Sequence, residues 1–144
     1  MVETPDSQPP QGTLFTIGHS NRSLNDFLQI LHHQNVEQLI DVRSHPGSHR
    51  FPSFNRNSLR LALEDEEIAY AWFGRELGGL RRAKPSSPHT ALAVDGFRGY
   101  ADHMSSPTFH HGIHRLTNLA GNTKVAIMCA ERDPCRCHRS MIAD

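Results

Sequence analysis

The chain has 144 residues, 37% hydrophobic and 21% charged, and its 15 basic and 15 acidic side chains leave no formal net charge. That describes one globular domain with a sizeable core, and it excludes a protein that coats nucleic acid or an anionic membrane by bulk charge. No apolar run approaches the roughly 20 residues that cross a bilayer, no charged-then-apolar leader opens the chain, and three clustered cysteines fit a reducing, cytoplasmic setting better than a disulfide framework.

Residues 1–12, with three prolines among polar side chains, read as a disordered lead-in, and the domain is expected to run from Thr13 to Asp144. Thr13 to Gly18 reads as a short buried strand stopped by glycine. Ser23 makes a helix N-cap with Asp26 three residues on, and Leu24, Phe27, Leu28 and Leu31 share one face, so a helix is expected from Leu24 to about Gln34. Gln38 to Val42 is the second strand, and the strand–helix–strand unit is most economically a right-handed crossover with parallel strands. A long loop follows from Arg43 to about Arg56; loops of this length inside a compact domain are often functional. Asn57 or Ser58 caps a helix through Glu66, and Ala69 to Phe73 reads as a strand. Gly78 through Pro88 reads as a polar, basic loop. Helices are expected over Phe97 to His103 and Thr108 to Leu119, the latter stopped by Gly121-Asn122. The apolar run Val125 to Cys129 is a buried strand, and after a polar loop Cys137-His138-Arg139 opens a final helix.

This alternation predicts an α/β fold, a single domain with an open, mostly parallel sheet and helices on both faces. In such sheets ligands sit beyond the carboxyl ends of the strands. His19 to Arg22, Asp41-Val42-Arg43 and Cys129-Ala130-Glu131 should therefore converge on one edge.

All three cysteines fall between positions 129 and 137. A thiol where a strand turns towards a helix faces backbone N–H groups and the positive end of a helix dipole, which favour the nucleophilic thiolate. Cys129 is the candidate nucleophile, with Arg43 or Arg139 as the nearby cation; the plainer alternative is a small core residue. Glu131 is a candidate acid–base group or a partner of those arginines. Cys137 is a candidate resolving thiol. Cys129, Cys135, Cys137 and His138, with His19 as a further candidate, also offer soft metal ligands, but without paired C-x-x-C spacing no cofactor is expected. Arg43 and Arg139 suit a bidentate grip on phosphate, sulfate or carboxylate; the plainer role for Arg43 is an ion pair with Asp41 or Glu131. His19, Ser20 and Asn21 are polar contacts for a ligand or residues of a turn. Tyr100 stacks on a planar substrate or fills the core. Arg75, Arg81, Arg82 and Lys84 form a basic stretch, a solvated loop or a contact for a nucleic-acid backbone.

Several stretches carry a resemblance. Thr16-Ile17-Gly18-His19-Ser20-Asn21, Asp41-Val42-Arg43 with Pro46, Ser48, Pro52, Phe54 and Asn55, Leu77-Gly78-Gly79, Gly96-Phe97-Arg98-Gly99-Tyr100, and Cys129-Ala130-Glu131 with Cys137-His138-Arg139 together resemble the bacterial and archaeal DUF488 family. The resemblance implies a fold more than a reaction, and it adds Ser48 to the candidate substrate contacts. Cys135 is an addition to the family pattern, and the resemblance implies a C-terminal helix cut short at Asp144. The order of elements is also similar to that of rhodanese-like domains, which set Asp-Val-Arg after an early strand and a reactive cysteine after a later one. The loop after Cys129 departs from theirs, holding Glu131, Asp133 and Pro134. A cysteine phosphatase loop would need arginine where Cys135 stands.

Two functions follow as expectations. In the first, the chain is a thiol-dependent enzyme of sulfurtransferase-like chemistry with a small anionic substrate: Cys129 attacks, Arg43 and Arg139 hold the charge, and Glu131 with His19 or His138 moves protons. In the second, the same pocket binds a nucleotide, a nucleic-acid end or a metal without catalysis, and the cysteines are structural or redox-responsive.

Overall fold

A strand buried on both faces must be apolar along its whole length, and Val125-Ala126-Ile127-Met128-Cys129 is the stretch that meets this requirement. In the computed structural model, which describes residues 14–47, 50–78 and 100–129, that stretch is β4, an inner strand of the sheet. The sheet is parallel throughout, in the order β1-β4-β2-β3, with β1 Leu14–Gly18, β2 Gln38–Asp41, β3 Ala69–Trp72 and β4 Val125–Cys129. β1 and β2 flank β4 rather than each other, so the first crossover leaves a gap that β4 fills.

Helices lie on both faces. On one, Phe27 and Leu31 of α1 (Leu24–His33) and Leu59 and Leu63 of α2 (Arg56–Asp65) pack with Leu39, Ala126 and Met128. On the other, Leu77 of the short α3 (Gly74–Leu77) and Phe109 and Leu116 of α4 (Pro107–Asn122) pack with Ile40, Val125 and Ile127. Alternate residues of β2 and β4 thus feed opposite cores, as the two-residue period of a strand requires. Residues 100–103 are helical as well.

The Ser23 N-cap read from the sequence is made, whereas Asn57 and Ser58 do not cap α2: both lie inside it, since the helix begins at Arg56 behind an extended Asn55 that makes no side-chain cap bond. The Ser23 hydroxyl accepts from the Asp26 N–H at 3.1 Å, and that of Ser106 accepts from the Phe109 N–H at 3.1 Å, one residue ahead of Pro107 at the first helical position. The expected stop of α4 is corrected as well. Gly121-Asn122 does not stop α4, which runs through both residues and ends at an extended Thr123. The Thr123 N–H and Oγ1 both bond the Leu119 carbonyl, at 2.9 and 2.8 Å, as the chain swings into β4. The end is set by entry into the sheet and not by the glycine. Thr13, residues 97–99 and the helix expected from Cys137 lie outside the described residues.

Candidate functional site

Parallel strands deliver the carboxyl ends of β1, β2 and β4 to one edge of the sheet. The His19 N–H donates to the Cys129 carbonyl at 3.0 Å, and the Val42 N–H donates to the Met128 carbonyl at 3.0 Å. His19 and the Val42-Arg43 pair therefore flank the end of β4 on either side.

Arg43 is fixed in place by Asp41. Its Nε–H donates to Asp41 Oδ1 at 2.9 Å and its Nη2 to Oδ2 at 2.7 Å, while its backbone N–H reaches Oδ1 at 3.1 Å. The Tyr70 hydroxyl donates to the same Oδ2 at 2.6 Å. Asp41 is fully buried and Arg43 is 7% exposed, and a buried carboxylate is sustained only by such a set of donors. Burial, then the charge of Asp41 and the hydrogen bond to it, push the Tyr70 phenol well above its ordinary range, against a weaker pull from Arg43 and Arg56. Tyr70 stays a proton donor. The Arg43 carbonyl accepts the Trp72 indole N–H at 2.7 Å, and a side chain at Gly74 would collide with both groups. Glycine there is a condition of the site's geometry.

His19 is 3% exposed. Its ring stacks on Phe54 at 4.6 Å with a 13° interplanar angle. Nδ1 lies 3.0 Å from the Ser20 carbonyl. A carbonyl only accepts, so Nδ1 carries the proton and the lone pair of the neutral ring sits on Nε2. Burial lowers the His19 pKa below 6.5; the bond to Ser20 opposes this, and the Arg43 charge reinforces it. His19 is thus a neutral imidazole with an acceptor nitrogen. Ser20 has φ of +44°, and the Arg22 N–H closes the turn on the His19 carbonyl at 2.9 Å, so Ser20 and Asn21 build the turn that aims His19.

The other sequence candidates are distributed unevenly. Cys129 is 3% exposed and belongs to the apolar cluster with Val42, Ile127 and Tyr100. Tyr70 and Phe54, which contact the Asp41–Arg43 pair and His19, pack with the opposite cluster. The sulfur and the guanidinium therefore share an edge and occupy different faces of the sheet. Tyr100 is fully buried and its hydroxyl donates to the Leu77 carbonyl at 2.9 Å, which is a core position. Ser48, Glu131, Cys137, His138 and Arg139 lie outside the described residues, as do Arg81, Arg82 and Lys84. Among the described residues no group of three His, Cys, Asp or Glu side chains converges on a metal position.

The sequence reading names Asp41 as one partner of Arg43 but does not reach Tyr70 or Trp72. A signal exists: an acidic residue closes a short apolar strand, and aromatics at positions 70 and 72 share the parity that places them beside it once β2 and β3 pair in register, Leu39 with Tyr70 and Asp41 with Trp72. Finding it requires knowing that β2 and β3 are neighbours.

An open parallel α/β sheet with its polar groups gathered at the strand carboxyl ends defines the class of this protein. The family model described as a domain of unknown function, DUF488, matches residues 23–144, and the chain belongs to that family. No curated protein and no solved structure matches it.

Proposed function

We propose that this protein takes a small anionic ligand at the carboxyl edge of its sheet, with Arg43 as the receiving cation and His19 as the neighbouring proton acceptor. One observation carries this reading. A guanidinium stands at a strand end, locked by a buried carboxylate through its Nε and Nη2 edge. The fork uses two of the five N–H groups of an arginine, which leaves the Nη1 edge directed away from Asp41. A cation pre-set in this way loses little entropy when an anion arrives.

Thiol chemistry at Cys129 extends the reading to an enzyme. In the nearest reaction class, the Cys129 thiolate attacks the outer sulfur of thiosulfate, the sulfur–sulfur bond breaks, and sulfite leaves with the bonding electron pair. A persulfide remains on Cys129. A second reading, a binding or sensing module without catalysis, is favoured by the packing of Cys129 in the apolar cluster on the face away from Arg43.

The test uses thermal unfolding with phosphate and thiosulfate at low ionic strength, and mass spectrometry of Cys129 after thiosulfate treatment. A ligand at one hundred times its Kd stabilises by about 2.7 kcal/mol. The expected result is an anion-dependent rise in Tm that Arg43→Lys abolishes. A Cys129 persulfide in addition supports the enzyme; anion binding without it leaves the binding module. Failure of both anions to stabilise the wild type removes both readings.

A further inference from the structure

Arg56 is exposed at the start of α2. Its guanidinium carbon lies 4.7 Å above the Trp72 ring, and among the described residues it has no carboxylate partner within ion-pair distance. Trp72 is the ring whose N–H bonds the Arg43 carbonyl at 2.7 Å. The backbone closes the same arrangement, the Arg56 N–H donating to the Pro46 carbonyl at 2.8 Å and so drawing the end of the long loop back over its start. The Tyr70 hydroxyl and the Arg43 Nη2 bond one oxygen, Asp41 Oδ2, at 2.6 and 2.7 Å, and the Arg43 and Arg56 charges both pull the Tyr70 pKa down, more weakly than burial and Asp41 raise it.

Among the described residues, the Arg43 and Arg56 guanidinium groups and the Asp41 carboxylate stand around this corner, and the carboxylate is taken up by Arg43 and Tyr70. The excess positive charge is held on a planar group stacked against an indole, which fixes its plane while leaving its N–H edge available. We infer that Arg56 is a second anion contact of the Arg43 site, and that the ligand is of the diphosphate class, with two adjacent negative groups, one for each arginine. This rests on the reading of Arg43 as an anion-receiving group and deepens it.

The experiment titrates the full chain with inorganic orthophosphate and inorganic pyrophosphate, following the fluorescence of Trp72, the single tryptophan, alongside calorimetry, for the wild type, Arg56→Gln and Arg56→Lys. Arg56 is exposed, so far-UV circular dichroism should be unchanged in both variants. The wild type is expected to bind pyrophosphate at least about tenfold more tightly than orthophosphate, the effect of one added charge-assisted contact of roughly 1.4 kcal/mol. Arg56→Gln should erase that preference while leaving orthophosphate binding intact, and Arg56→Lys should restore part of it. Orthophosphate binding with no preference for pyrophosphate, or a preference that survives Arg56→Gln, overturns the two-arginine site and leaves Arg43 standing. Binding of neither anion overturns both.

Discussion

Asp41, Arg43 and Tyr70 form a unit whose parts cannot be removed singly without cost. Truncating Asp41 leaves a buried guanidinium without its counter-charge, so Asp41→Ala should destabilise by about 3–5 kcal/mol in urea unfolding. Tyr70→Phe removes one donor to a charged acceptor and should cost about 1–3 kcal/mol. The exposed pair Arg60–Glu64 on α2, 2.9 Å apart, is the contrast: Arg60→Ala should cost about 0.5 kcal/mol or less. His19 makes a prediction about pH. Its folded pKa lies below the 6.5 of a free histidine, so the neutral ring's contribution is complete above about pH 6.5. It is lost as pH falls towards the folded value, because the unfolded chain accepts a proton that the folded one resists. The stability advantage of wild type over His19→Phe, which keeps an aromatic ring beside Phe54, should therefore shrink between about pH 7 and pH 5. A difference that stays constant over that range would show that His19 titrates normally.

At the scale of elements, two glycines of α4 illustrate what packing adds to propensity. A Cβ on Gly112 would lie 2.6 Å from Glu76 Cβ and 3.1 Å from Leu77 Cδ2, whereas one on Gly121 would meet nothing within 4 Å. Both substitutions gain up to about 1 kcal/mol of helix propensity. Gly121→Ala should keep that gain and raise Tm, and Gly112→Ala should lower Tm by forcing α3 away from α4. Ser106 shows the same dependence on context. Its hydroxyl caps α4 and also donates to His103 Nδ1 at 3.2 Å, while His103 Nε2 donates to the Glu76 carbonyl at 2.6 Å. Ser106→Ala should thus cost at least the roughly 1 kcal/mol of an ordinary N-cap, and Ser23→Ala, whose cap at α1 is exposed, about that alone.

The described residues form two apolar layers on opposite faces of the sheet, with β4 feeding both. Ile127 and Met128 are both fully buried and feed opposite layers. Ile127→Ala should cost about 2–5 kcal/mol. Since β4 is shared by both layers, its loss should be felt on the α1–α2 face as well. Unfolding followed by Trp72 fluorescence and by far-UV circular dichroism should coincide in one transition, and separated midpoints would mean that the layers unfold independently.

Local pattern was enough to read β1 to β4, the Ser23-capped α1 and the meeting of His19, Arg43 and Cys129 at one rim, since alternation, an N-cap and the carboxyl-end rule depend only on neighbours in the chain and on parallel pairing. Strand order lay beyond that pattern. It seats β4 between β1 and β2 and brings Tyr70 and Trp72, nearly thirty residues downstream in the chain, to the Asp41–Arg43 pair. The face taken by each side chain at the rim was likewise set by long-range packing: it parts the Cys129 sulfur from the guanidinium and stacks Arg56 on an indole, because burial of apolar area fixes which side of the sheet a residue occupies before any polar group finds its partner.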